Sequence, residues 1–299
     1  MKKVIAIVVT YKRKELLEKV LTRLSEQSFK LSKVLVVDNN SQDGTEELVK
    51  SFYLNNNIFE YHNTGANLGG AGGFNYGFQL ANNYEYDYLW LMDDDFLPAT
   101  NCLEELISVR SNGIIQPIRF NLDGLCAEIT PVVYDLSKVL CTNPKSHTVA
   151  DIYDDITESE IEIAAVPFEG PLISKDVVKK IGFPESKFFI FNDDLDYSIR
   201  ARKAGFKITC SMKATAERLL LNNQNNDLKS WKGYFMLRNH FYILRTHGEN
   251  VFVKNRSLVI ALFYMLKSLL SLDSKTMRVV IEAYKDSFKL SNNDNHKPN

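Results

Sequence analysis

Residues 4–10 read VIAIVVT, an unbroken apolar run rich in β-branched side chains. Such runs occur where a strand is covered on both faces, as in parallel sheets flanked by helices. Working outward, residues 14–26 carry Leu16, Leu17, Val20, Leu21 and Leu24 at helical spacing, and a second short buried run at 34–37 ends at Asp38. The turn formers NNSQDG (39–44) follow, and a helix is expected from near Thr45. A third strand is expected at 58–61, a third helix at 73–81, and a fourth strand at 88–92 that runs directly into Asp93, Asp94 and Asp95. Strands separated by helices predict an α/β chain with a Rossmann-like, mostly parallel sheet. Ligands bind such sheets at the carboxyl ends of the strands. Thr10, Tyr11, Asp38, Asn39 and the three aspartates sit at such ends and are expected to converge.

The second half is less regular. Residues 112–166 show acidic turns and short apolar pieces. A helix is expected at 175–180, a short apolar element at 188–191 (FFIF), and a helix at 193–204 ended by Gly205. Beyond residue 227 helices are expected throughout, and 292–299 reads as a disordered tail. The chain therefore divides into a domain at 1–225, with halves at about 1–110 and 111–225, and a helical extension at 226–291. No internal repeat is present.

Composition narrows the function classes. With 299 residues and 45% apolar content the chain can bury a substantial core. Lys and Arg total 36 against 37 Asp and Glu, so no global positive field draws it to nucleic acid. Cys102, Cys126, Cys141 and Cys210 are far apart, make no zinc spacing, and read as reduced thiols of a cytoplasmic protein. The opening MKKVIAIVV is too short for a signal segment and reads as a first strand. No run reaches the roughly 18 apolar residues of a spanning helix. Residues 229–289 hold 11 Lys and Arg against four acidic residues. With Trp231, Tyr234, Phe235 and the apolar 258–266 stretch, they read either as a membrane-surface patch or as helices packed on the catalytic domain or on a second subunit of a homo-oligomer.

Three features carry chemistry. Asp93, Asp94 and Asp95 repel one another, and a cation would relieve them; hard oxygen ligands suit Mg²⁺ or Mn²⁺, with phosphate oxygens completing the shell. The block NLGGAGG (67–73) lets a backbone approach a ligand and opens a helix whose N–H groups can meet a phosphate. It is neither a Walker A loop nor a GxGxxG fingerprint. In FFIFNDDLDYSIR (188–200), apolar residues before Asp193 and Asp194 would raise a carboxylate's proton affinity, as a general base requires. Asp196 and Arg200 are four apart and can pair.

Together these segments resemble the inverting GT-A enzymes of glycosyltransferase family 2, over residues 4–212. The pieces VVTYKR, VVDNNSQDGT, NLGGAGGFNYG, LMDDDF and NDDLDYSIRARKAGFKI stand in family order. The glycine block and YFMLRN look most like the galactofuranosyl- and rhamnosyltransferase-like branch. The resemblance implies that Thr10, Tyr11 and Arg13 border the nucleotide of a nucleotide-diphosphate sugar, Asp38 and Asn40 lie at the base, and Asn67, Gly69 and Gly70 pass close to the donor. Asp93 and Asp95 would hold the metal and diphosphate, with Asp94 beside the donor. Asp194 would be the catalytic base, and Glu169, Gly170, Asp193 and Asp196 would border the acceptor, a glycan or a polyprenyl-diphosphate-linked glycan. The family often supplies a late histidine to the metal; here KATAER (213–218) has none, and Glu217 or Arg218 takes that place, Glu217 being the expected ligand. Two other readings remain open: a non-catalytic sugar-nucleotide or glycan-binding module, and a nucleotidyltransferase, whose Gly-rich basic loop after the first strand is missing.

Overall fold

The computed structural model describes residues 2–140, 143–220, 228–292 and 294–298. In chain order the first half holds β1 (Val4–Thr10), α1 (Lys14–Ser25), β2 (Lys33–Asp38), α2 (Thr45–Asn55), β3 (Phe59–Asn63), α3 (Gly69–Ala81), β4 (Tyr88–Asp93), β5 (Phe96–Pro98) and α4 (Cys102–Ser108). The 112–166 region contributes β6 (Ile114–Asn121), β7 (Pro131–Tyr134), β8 (Lys145–Thr148), α5 (Val149–Ile152) and β9 (Glu160–Glu162). There follow β10 (Leu172–Ser174), α6 (Lys175–Ile181), α7 (Asp193–Lys203), β11 (Ile208–Arg218), α8 (Trp231–His247), α9 (Val251–Leu270) and α10 (Ser274–Asp286).

The main sheet runs β3-β2-β1-β4-β10-β6-β11-β5, with β9 on β11, while β7 and β8 pair separately. The first four strands are parallel, β10 is antiparallel to both neighbours, and β6 and β11 are parallel. The α/β expectation holds. Its cause is visible in β1, where every side chain is buried but successive residues feed different cores. Ile5, Ile7 and Val9 pack with Phe74, Phe78 and Tyr197 on one face; Val4, Ala6 and Val8 pack with Leu17, Val20 and Leu21 on the other. A strand buried on both faces has no polar alternation to display.

Two elements differ from the sequence reading, the start of the third helix and the C-terminal tail. The helix expected at 73 begins at Gly69, so most of the glycine block is its first turns rather than a loop. The glycines let α3 press on the sheet: a Cβ on Gly77 would stand 2.4 Å from Ile7 Cγ2, and one on Gly73 2.6 Å from Val9 Cγ1. Residues 188–191, expected only as a short apolar element, are irregular: Ser186–Phe188 is a 3₁₀ turn, and Phe189 and Phe191 adopt left-handed φ values. The tail expected to be disordered holds a 3₁₀ turn at Asp294–His296, and His296 stacks on Tyr234 at 4.0 Å between ring centroids.

β11 runs through the KATAER segment to Arg218. The register of β11 on β6 jumps from Ser211↔Pro117 to Thr215↔Ile118. Pro117 cannot donate to the ladder, and a bulge at that point lets the longer strand resume beyond it. α8, α9 and α10 pack together and onto residues 188–190 through a core of Phe189, Tyr234, Phe235, Phe241 and Val280.

Candidate active site

β1, β2 and β4 end side by side, Thr10 opposite Asp38 and Val9 opposite Asp93. The strand ends converge as expected. From there the aspartates alternate. Asp94 turns back beneath the loop after β1 and is 2% exposed. It accepts hydrogen bonds from Thr10 Oγ1 (2.8 Å), the Tyr11 amide (3.4 Å) and Arg13 Nη1 (3.0 Å). Asp93 and Asp95 face the other way, into a cleft of about 460 Å³.

That cleft is also lined by Arg13, Gly70, Glu169, Asp193, Asp194, Arg218 and Lys232. The two acidic stretches about 100 residues apart in sequence thus meet in one cavity. Its lining carries five carboxylates against three cations, a formal excess of two negative charges. Burial, then Asp95 and Glu169, hold the Asp93 carboxyl well above the ordinary carboxylate range. Burial and the neighbouring Glu169 and Asp94 push Asp95 up to about 6. Asp194 also rises to about 6, chiefly through burial, with Glu169 adding to it and the Leu195 amide (2.7 Å) opposing it. Asp193 at the head of α7 is raised by burial and by Asp194 beside it.

Glu169 bridges the floor. It pairs with Arg119, which is itself held by Glu128 (2.7 and 2.8 Å), and with Arg218 (3.1 Å). Arg119 and Glu128 are completely buried. Removing one partner of such a pair leaves an uncompensated charge and costs about 3–5 kcal/mol. Sequence reading missed both, since they lie in the irregular 112–166 region. Gly170 is required by its φ of 100°, and a Cβ there would stand 2.3 Å from the Phe96 ring.

Other expected residues lie behind the lining. Asp38 is fully buried and accepts from Tyr61 Oη (2.7 Å) and the Ser41 amide (2.9 Å); Asn40 follows it with a left-handed φ of 65°. Asn67 accepts from the Gly69 amide at 2.9 Å. Gly69 serves a close approach different from the one expected: its Cβ would meet the Phe189 carbonyl oxygen at 2.1 Å. Its neighbour Gly70 is open to the cleft. Asn39, expected with Asp38 at the strand ends, ties β2 to this turn by accepting from the Leu68 amide (3.3 Å) and donating to the Gly69 carbonyl (3.2 Å).

Two expectations are corrected. Asp196 does not line the cleft; it is buried under α7 between Arg200 and His247, both at 2.7 Å. Burial opposes its charge, but these two partners hold its carboxyl below the usual range. Glu217 is exposed and points away from Asp93 and Asp95, beside Arg23 and Leu97. Beyond the bulge, β11 alternates so that Ala216 and Arg218 face inward and Thr215 and Glu217 outward. Arg218, and not Glu217, lines the cleft. Among the described residues no three His, Cys, Asp or Glu side chains are grouped to hold a metal.

The segment before α7 is backbone-strained. Phe189 (φ 63°, ψ −59°), Phe191 (φ 67°) and Asn192 (φ 67°, ψ 0°) all have positive φ. The Ile190 amide donates to the Phe188 carbonyl at 2.7 Å, closing a γ-turn of the rare, strained hand around Phe189. Such conformations cost about 1–3 kcal/mol each and persist only where the surroundings enforce them.

The family model described as glycosyl transferase family 2 matches residues 5–113. Galactofuranosyltransferase GlfT1 of Mycolicibacterium smegmatis is 30% identical over 215 residues, 69% of this chain and 68% of that protein. The chain belongs to glycosyltransferase family 2. GlfT1 of Mycobacterium tuberculosis is 27% identical over 69% of this chain and 67% of its own. Glycosyltransferase AglE of Haloferax volcanii is 25% identical over 68% of this chain and 62% of its own. The fold is similar to GalNAc-T7, solved with UDP, GalNAc and Mn²⁺ (TM-score 0.66, 12% identity), although the chain covers 97% of itself and only 56% of that structure. It is also similar to the mannosyltransferase PcManGT of Pyrobaculum calidifontis, solved with GDP-Man and Mn²⁺ (TM-score 0.59, 15% identity, 96% and 87% covered). The architecture is therefore GT-A, and the family 2 membership makes the chain a glycosyltransferase, which sets aside the binding-module and nucleotidyltransferase readings.

Proposed function

We propose that this family 2 enzyme transfers a hexosyl group with inversion, from a UDP- or dTDP-linked sugar to a hydroxyl of a glycan or polyprenyl-diphosphate-linked acceptor of cell-surface polysaccharide. The relatives named galactofuranosyltransferase favour galactofuranose, with rhamnose second. The observation that carries the reading is the shared cleft of Asp93, Asp95 and Asp194.

The donor set fits a hard divalent cation, Mg²⁺ or Mn²⁺. Asp93 and Asp95 offer carboxylate oxygens whose mutual repulsion a cation would relieve, and Mg²⁺ is commonly bound by one or two carboxylates plus substrate phosphates. An acidic cleft otherwise repels a diphosphate, so the cation reconciles the site with its donor. When bound, it supplies neutralisation of charge on the departing diphosphate. Arg218 and Lys232 add fixed positive charge to the same wall.

Asp194 acts as the base. Its carboxylate takes the acceptor's hydroxyl proton as that oxygen attacks the anomeric carbon, and the bond to the diphosphate breaks on the opposite face. Direct displacement inverts the centre with no covalent sugar–enzyme intermediate. Burial serves this step by bringing the carboxyl's proton affinity toward neutral pH. Replacing it by Asp194→Asn should lower kcat roughly 10²–10⁴-fold. Thermal shift with UDP-galactofuranose should still report donor binding. Wild-type turnover in this variant would remove the assignment.

A further inference from the structure

We infer that Arg238 and Asn239 of α8, outside the strand-and-helix unit that carries the carboxylates, are positioning residues for the proposed base: they hold residues 187–191 in the strained conformation that aims Asp193 and Asp194 into the cleft. The inference rests on the reading of Asp194 as base.

Both side chains are completely buried. Arg238 Nη2 donates to the carbonyls of Lys187 (2.8 Å) and Phe188 (2.9 Å). Asn239 Nδ2 faces the carbonyls of Phe188 (3.2 Å), Ile190 (2.7 Å) and Phe191 (2.9 Å). The amide cannot be turned over without loss. Arg238 Nε, which can only donate, points at Asn239 Oδ1 at 2.9 Å, so the NH₂ end must face the carbonyls. One guanidinium and one amide thus gather the carbonyls of four residues in a five-residue stretch.

Carbonyl oxygens converging on one point repel, and three nearby residues hold unfavourable φ values. A stretch with these features has no local reason to keep its shape. The reason comes from α8. The shape matters because Asn192 hands the chain directly to Asp193, the first residue of α7. α8 grips α7 a second time through His247 and Asp196, and Phe189 stacks on Phe235 at 4.9 Å. Neither Arg238 nor Asn239 lines the cleft, so their action on chemistry passes through the backbone they hold.

The test is a kinetic cycle on the full chain with UDP-galactofuranose and a polyprenyl-diphosphate-linked acceptor. Asn239→Ala and Arg238→Lys should each lower kcat on the order of 10²-fold, the cost typical of a misplaced catalytic group. The donor KM should stay within about threefold, because the Arg13–Asp93–Asp95 wall is untouched. In an Asp194→Asn background the same changes should cost little more, since they act through that carboxylate. Equal losses in both backgrounds, or folded variants with wild-type kcat, would overturn the inference. If Asp194→Asn itself retains turnover, the base assignment fails, whatever the clamp variants do. Should the variants not fold, hydrogen exchange on the wild type decides: amides of 188–192 should be protected with those of α8, and free-chain exchange there would equally overturn it.

Discussion

Asp194 shows what a single residue's burial does to both activity and stability. Its carboxyl is raised from the ordinary 3.8 to about 6. A group whose folded pKa lies above its unfolded one supports the fold below the unfolded value and loses that support as pH rises through the folded value. Ionised Asp194 therefore destabilises the protein at neutral pH, the condition in which a base must be ionised to work. Asp194→Asn should raise the Tm at about pH 7.5, with the gain shrinking toward about pH 4. A Tm that is unchanged or lower at neutral pH would show that the carboxylate is better solvated than its surroundings suggest. At this scale much of the site was legible: Asp93, Asp95, Asp193, Asp194, Arg13, Gly70 and Glu169 all line the cleft. Asp196 and Glu217 misled for physical reasons. Asp196 found an arginine and a histidine as partners inside the protein, and Glu217 was turned outward by a bulge that no local pattern announces.

At the level of elements, the paired runs of strand and helix in the first half could be read because each obeys one period throughout. The helix start at Gly69 could not, since glycine clusters signal loops by propensity while tertiary packing decides here. In α3 Gly73 and Gly77 admit the sheet and Gly69 admits the Phe189 carbonyl, whereas Gly70 is open to the cleft. Gly77→Ala places a methyl 2.4 Å from Ile7 Cγ2 and should cost about 1–3 kcal/mol by overpacking, despite alanine's better helix propensity. Urea unfolding measures it, and a stabilised variant would contradict the packing role. The strained stretch 187–191 was equally unreadable, because its shape is imposed by Arg238 and Asn239 some 50 residues later.

For the whole molecule, the division into a catalytic domain and a helical extension describes the sequence better than the packing, since α8 reaches back to the residues before α7. α9 has a different outer surface. Phe252, Val259, Leu262, Phe263, Leu266 and Leu270 are all more than half exposed, and the helix carries Lys254, Arg256 and Lys267 without one acidic residue. Among the described residues no helix is long and apolar enough to cross a membrane. An amphipathic, purely cationic helix suits the surface of an anionic bilayer, and we propose that contact for the side from which a polyprenyl-linked acceptor would be presented. The chain should co-sediment with phosphatidylglycerol vesicles at low salt, and Phe263→Asp with Leu266→Asp should abolish it. Equal sedimentation of the double variant would exclude this face.

The central claim is that carboxylates from two distant stretches meet around one cation and one incoming alcohol. Mn²⁺ titration in the presence of UDP, followed by electron paramagnetic resonance, tests it most directly. Asp93→Asn and Asp95→Asn should each lose Mn²⁺ binding, whereas Glu217→Gln and Asp194→Asn should bind it as the wild type does. Mn²⁺ bound normally by both Asp93→Asn and Asp95→Asn, or lost in Glu217→Gln, would contradict the account.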